Sequence, residues 1–154
     1  MTSPIEARLA ELGVTLPTPV APVANYVPFV VSKGMLYISG QIPVGPNGVE
    51  YVGKLGDTLS IEDGRAAARL CAINILAQAR AALGDLERVA RIVKLTGFVN
   101  SAADFGDQPK IVNGASDFFV EVFGDKGRHA RSAVGVSGLP FGVGVEVEAV
   151  IEIA

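Results

Sequence analysis

The strongest constraint in this chain is a period of two near its end. Val145-Glu146-Val147-Glu148-Ala149-Val150-Ile151-Glu152-Ile153 alternates along its length and is rich in β-branched side chains, which predicts a strand with one buried face. Arg131-Ser132-Ala133-Val134-Gly135-Val136 reads the same way and is opened by a cation. The Gly- and Pro-rich segment Ser137 to Gly144, with its Leu139-Pro140 turn, joins the two. In the second strand Val145, Val147 and Ile151 share one face, and Glu146, Glu148 and Glu152 share the other. Acidic residues so placed usually point to solvent from the open side of a half-buried sheet, which suffices for Glu148 and Glu152.

Upstream, Ser3-Pro4 is an N-cap followed by proline at the first helical position, and Ile5, Leu9 and Leu12 follow at helical spacing up to Gly13. Leu16 to Pro22 is too rich in proline for a helix or an interior strand and predicts an extended arm. Helix and arm together make residues 1–22, lying either on their own domain or across a neighbouring subunit. Tyr26 to Ser32 and Met35 to Ser39 read as a hairpin around Lys33-Gly34, with Gly40 ending the second strand. Pro43 to Gly48 is turn-like, and Val49 to Val52 predicts one more short strand.

Ser60-Ile61-Glu62-Asp63 is a capping-box start for a long helix running to about Leu83. Its inner stripe is built of small residues, Ala67, Leu70, Cys71, Ile73, Ala77 and Ala81, with Asn74 as the polar exception. Val89 to Asn100 predicts a central strand in which Gly97 marks a bulge or a close approach. A second helix starts near Asp107-Gln108-Pro109 and ends at Gly124. Two helices on one face of a mixed sheet give an α+β, two-layer domain over residues 23–154.

Composition narrows the function. A chain of 154 residues can bury a real core, and 49% hydrophobic residues is high enough to suggest surface hidden in an oligomer. The single cysteine, Cys71, excludes an intrachain disulfide framework and fits a reducing cytoplasm; on the helix stripe it reads as a small buried hydrophobe. With no Cys/His cluster, a zinc site has no ligands. No stretch approaches transmembrane length, and Glu6 and Glu11 stand where a signal peptide needs an apolar run. A net charge of -3 offers nucleic acid no footprint, and the one basic cluster, Lys126 to Arg131, reads as a solvated loop leading into a strand.

Two short motifs point to chemistry. Arg131-Ser-Ala-Val, Leu139-Pro140 and Glu146-Val-Glu148-Ala149 form one; Ser39-Gly40-Gln41-Ile42-Pro43 forms the other, with Tyr26 and Val112-Asn113 in place between and around them. In this order they resemble the signatures of the RidA (YjgF) family of enamine/imine deaminases, from about residue 23 onward. The resemblance implies a chorismate-mutase-like fold assembled as a homotrimer, with a small-molecule site at each subunit interface and no metal or cofactor. It implies hydrolysis of small 2-imino or enamine acids to 2-keto acids and ammonia.

Such a substrate carries a carboxylate beside an electrophilic C=N carbon. The planar fork of an arginine orients a carboxylate best, and the matching residue is Arg131. A carboxylate within hydrogen-bond reach holds the attacking water and moves protons, and the matching residue is Glu146, with Glu148 two residues on along the same face. The family's pocket positions match Tyr26, Ser39, Gly40 and Asn113, although Asn113 reads equally well as a helix-surface amide. The chain departs from the pattern at Ala133, where relatives carry cysteine; the missing volume implies a larger or differently tuned pocket in a divergent subgroup. Two other classes follow from the same resemblance: a trimeric binding protein that senses a small carboxylate without turning it over, and the endoribonuclease label some relatives carry, which an acidic chain supports poorly.

Overall fold

The computed structural model describes residues 2–19 and 24–154. Strands β1 (Phe29–Ser32) and β2 (Met35–Gln41) form the expected hairpin. Its turn residues Lys33 and Gly34 sit at φ 51° and 76°, the paired left-handed conformations that match the twist of a two-residue hairpin. Strands β3 (Val44–Gly45) and β4 (Gly48–Val49) make a separate small hairpin. The chain then runs through β5 (Val89–Asn100), β6 (Ala130–Val136) and β7 (Val145–Ile153).

The main sheet has the order β1-β2-β7-β5-β6, so the alternating C-terminal strand lies at its centre and β5 is interior beside it. Only β5 and β6 run parallel, which requires a crossover between them. Helix α3 (Gln108–Phe123) provides it.

Helix α2 (Ile61–Leu83) starts where the capping box predicts: the Ser60 hydroxyl accepts from the Asp63 N–H at 3.1 Å, and the Asp63 carboxylate accepts from the Ser60 N–H at 3.0 Å. Both helices cover one face of the sheet, with Leu36, Ile92, Leu95, Val145, Val147 and Ile151 buried beneath them. Two glycines set how closely the layers approach. A Cβ on Gly97 of β5 would meet Val112 of α3, and one on Gly114 of α3 would run into the Arg65 carbonyl of α2. The other sheet face carries no helix, and Val30, Tyr37 and Val134 are half-exposed on it.

A third helix, α1 (Pro4–Glu11), is capped by Ser3 and packs on its own domain. Leu9 and Leu16 are buried; the Ile5 N–H donates to Glu87 at 2.7 Å and Arg8 to the Glu121 carbonyl at 2.8 Å. Residues 20–22 of the expected arm, and the expected boundary at residue 23, lie outside the described residues.

Several boundaries differ from the sequence reading. The first strand begins at Phe29 and not Tyr26, since Pro28 before it has no N–H for a ladder. No strand runs from Val49 to Val52, because Tyr51 sits at φ 56°, where a strand cannot continue. Ala81 is exposed, and the buried stripe of α2 instead broadens through Ala68, Ala72, Ile75, Leu76 and Ala79, because α2 packs on α3 as well as on the sheet. Gly97 is a close approach; the irregularities of β5 against β7 lie earlier, between Val89 and Arg91 and between Ile92 and Lys94.

Candidate functional site

The predicted residues fall into two clusters. In β6, Arg131 pairs with Leu95, which is buried on the helix side, so the arginine lies beneath α3. One guanidinium nitrogen, Nη1, donates to Asn113 Oδ1 at 2.7 Å and to Ser116 Oγ at 3.1 Å. Asn113 is therefore no free surface amide: it and Ser116, one helical turn apart, hold the arginine. Among the described residues, Nε and Nη2 make no hydrogen bond, leaving one two-donor edge of the fork for a carboxylate. Ala133, on the same face two residues later, lies opposite Gly97 and packs on the core.

His129 completes this cluster. Its Nδ1 is 2.6 Å from the Gly127 carbonyl oxygen, which can only accept, so Nδ1 carries the proton. Nε2, 2.8 Å from Ser116 Oγ, then accepts the serine hydroxyl. A relay results: Arg131 donates to Ser116, and Ser116 donates to His129. Sequence reading missed Ser116 and His129. The available signals were the placement of the only histidine two residues before Arg131, and a serine three residues after Asn113 on the same helix.

Burial lowers the His129 pKa below its ordinary 6.5, the Gly127 hydrogen bond opposes this, and the Arg131 charge adds to it. The folded state thus holds fewer protons than the unfolded chain just below pH 6.5, so the stability contributed by neutral His129 is fully present above that value and lost as pH falls through the folded pKa. The melting temperature of the wild type minus that of His129→Asn is expected to fall on going from pH about 7.5 to about 5.5. A pH-independent difference would remove this account of the histidine.

The second cluster is built on an irregularity. Ile38 pairs with Ala149 and Gln41 with Val147, so Ser39 and Gly40 together oppose Glu148: a β-bulge in β2. The bulge turns Gly40 against Glu146, whose carboxylate a Cβ at position 40 would strike. Ser39 is held in place, its N–H and hydroxyl both donating to the Pro28 carbonyl at 3.0 and 3.2 Å. Tyr26, Ser39 and Gly40 line one cleft of about 490 Å³.

Glu146 is half-buried and Glu148 exposed, which distinguishes the two carboxylates that spacing left open. Burial, then the charge of Glu148, raises the Glu146 pKa above its ordinary 4.5. Among the described residues no cation pairs with it. Cys71 is fully buried and donates to the Val145 carbonyl at 3.6 Å; burial and then the Glu146 charge push its thiol well up, as for a packing residue.

The two clusters do not meet within one chain. Arg131 lies level with Leu95 on the helix side, whereas Glu146 lies opposite Phe98 on the uncovered side, with β5 between β6 and β7. Among the described residues, no group of three or more His, Cys, Asp or Glu side chains could hold a metal ion. No described helix is long and apolar enough to cross a membrane.

A family model described as "YjgF/chorismate mutase-like, putative endoribonuclease" matches residues 6–147, which takes in most of α1 as well as the main domain up to the start of β7. Protein TCP17 of Trypanosoma cruzi is 50% identical, across 97% of this chain and 94% of its own length. The crystal structure of Atu1372 from Agrobacterium tumefaciens matches with a TM-score of 0.93 at 47% identity, over 98% of this chain and 93% of that one. E. coli TdcF with bound serine matches with a TM-score of 0.64 at 29% identity, over 89% of this chain and 94% of that one.

Proposed function

The chain belongs to the YjgF/chorismate-mutase-like family, and on that premise we propose that it is a hydrolytic deaminase of reactive 2-imino and enamine acids. The observation that carries the reading is the presence of two complementary chemistries: an arginine with one fork edge unoccupied, and a carboxyl of raised pKa with no cationic partner, both among the described residues. The bound serine of TdcF, a small amino acid with the same carboxylate group, supports a ligand of this class.

Arg131 takes the substrate carboxylate through two charge-assisted hydrogen bonds and so fixes the position of the imine carbon. Glu146 accepts a proton from water as the oxygen adds to that carbon. That proton passes to nitrogen to give the neutral amino alcohol. Glu146 then takes the hydroxyl proton as the C=O bond forms and delivers it to nitrogen as the C–N bond breaks, so that ammonia leaves and Glu146 is again a carboxylate. Water and imine become 2-oxo acid and ammonia, with no redox change. A carboxyl whose pKa is raised by burial holds and returns a proton more readily near neutral pH than an ordinary glutamate.

The assembly belongs to the same proposal. Since Arg131 and Glu146 face opposite sides of one sheet, the proposed site is completed when one copy's Arg131 cluster meets another copy's Gly40-Glu146 cluster. A closed ring of three copies satisfies every such contact, and the uncovered sheet face supplies apolar surface for it. RNA cleavage finds less support, because a net charge of -3 gives a phosphate backbone little to bind.

The test generates 2-iminopropanoate and 2-iminobutanoate in place with an amino-acid oxidase and traps them with semicarbazide. The protein is expected to divert imine from the trap. Undiminished trapping at protein levels where a working deaminase competes would count against hydrolysis of these two acids.

A further inference from the structure

We propose that the cleft beside Gly40 is the side-chain subsite of this reaction centre, and that it takes 2-imino acids with a bulky, ring-bearing side chain tipped by a hydroxyl or N–H group. This rests on the deaminase reading above. At about 490 Å³ the cleft is far larger than a methyl side chain needs and falls within the range of pockets that enclose whole small molecules. Its walls are Pro17 and Pro19 from the segment after α1, Ile42 and Val44 beyond β2, and Ala77 from α2. Glu146 does not itself line the cleft, but Gly40 belongs both to this wall and to the seat of Glu146, so a ligand with its reacting carbon at the carboxylate reaches the cleft past Gly40, where no side chain intervenes.

Two features select the kind of side chain. Phe141 lines the cleft, is 77% exposed as a residue, and has its backbone at φ 59°, an unfavourable conformation for a residue with a Cβ. Exposed and so held, its ring offers a stacking surface to another ring. The second feature is Gln78 of α2, which lines the same cleft, is only 3% exposed, and has its Oε1 buried without a hydrogen-bond partner among the described residues. Neighbouring Asn74 is instead tied to the chain, its amide nitrogen donating to the Ile42 and Val44 carbonyls at 3.0 and 3.1 Å. A buried acceptor left unpaired is costly, so a ligand that brings a donor to it gains over the same ligand without one. A hydroxyl suits either orientation of the amide.

The experiment compares imines formed by an amino-acid oxidase from tyrosine, phenylalanine and alanine, with semicarbazide as the competing trap. Wild type is expected to show kcat/KM in the order tyrosine, phenylalanine, alanine. Gln78→Leu should reduce the tyrosine-to-phenylalanine ratio about tenfold, the worth of one hydrogen bond to a neutral group. Because the readout is a ratio within one variant, a loss of folded protein does not imitate it. Phe141→Ala, on the surface, should lower the phenylalanine-to-alanine ratio. Calorimetric titration with 4-hydroxyphenylpyruvate and pyruvate gives a readout independent of turnover.

Efficient diversion of the alanine-derived imine with neglect of the larger two would overturn the subsite and leave the deaminase reading standing. If no imine were diverted, yet 4-hydroxyphenylpyruvate bound more tightly than pyruvate and lost that advantage in Gln78→Leu, the subsite would stand and the deaminase reading would fall. Neither diversion nor binding would overturn both.

Discussion

Glu146→Gln is expected to lower imine hydrolysis by about a hundred- to ten-thousandfold, the usual worth of a positioned acid/base group, while 2-oxo acid binding changes by no more than a few-fold. Glutamine keeps the shape and a hydrogen bond to water but can neither take nor return a proton. Binding, by contrast, is assigned to Arg131 and the pocket, which the substitution leaves alone. Single-turnover kinetics alongside titration with a 2-oxo acid separates the two effects. Equal loss of both would mean that Glu146 supports the pocket and not the chemistry.

The same substitution should also raise the melting temperature at neutral pH. Glu146 has a folded pKa above 4.5 because burial and then the charge of Glu148 disfavour its ionised form. The folded state therefore holds more protons than the unfolded chain in the window just above 4.5, and stability falls as pH rises through it. Glutamine has no charge to disfavour, so its advantage is full above that window and shrinks as pH drops towards about 4. Thermal melts of both proteins across this range test the sign. A variant less stable than wild type at neutral pH would contradict the burial of an uncompensated carboxylate. Loss of activity with gain of stability is the expected mark of a group retained for function.

Arg131→Ala is the second large effect. Two charge-assisted hydrogen bonds to a carboxylate, each worth about 1.5–3 kcal/mol, correspond to roughly two to four orders of magnitude in kcat/KM and a comparable loss of 2-oxo acid affinity. Arg131→Lys should recover only a small part, since a single ammonium cannot occupy both oxygens of the carboxylate in the fork geometry. The arginine also acts on its neighbours. Its charge is one cause of the lowered His129 pKa, so Arg131→Ala should move the histidine titration upward, as NMR of the only imidazole can follow. Retained affinity in the alanine variant would place the carboxylate elsewhere.

How far these residues were legible in the sequence depends on the kind of information each required. Asn113 is an instance: as a helix residue after Val112 it reads equally well as solvated, and only the crossing of α3 over β6 sets it 2.7 Å from Arg131. Glu146 and Glu148 are equivalent in a two-residue repeat. What separates them is the Ser39-Gly40 bulge on the neighbouring strand, which presses Gly40 against one and leaves the other exposed. Gln78 carried no signal at all within a helix of mostly small residues, because its unpaired oxygen depends on what surrounds it and not on its neighbours in the chain.

By itself the sequence determined the elements and the two motifs. A strand period of two, a capping box at Ser60 and Asp63, glycines after α2 and α3, and the paired left-handed turn at Lys33-Gly34 act over a few residues, through backbone sterics and hydrogen bonds that neighbours supply. The side of the sheet on which each functional residue falls, and its company there, was decided by the tertiary structure alone. Strand order, the parallel register of β6 on β5, and the bulge in β2 set which side chains distant in sequence come within hydrogen-bond reach. Those contacts depend on packing across the layers, where a shift of one residue moves a side chain to the opposite face.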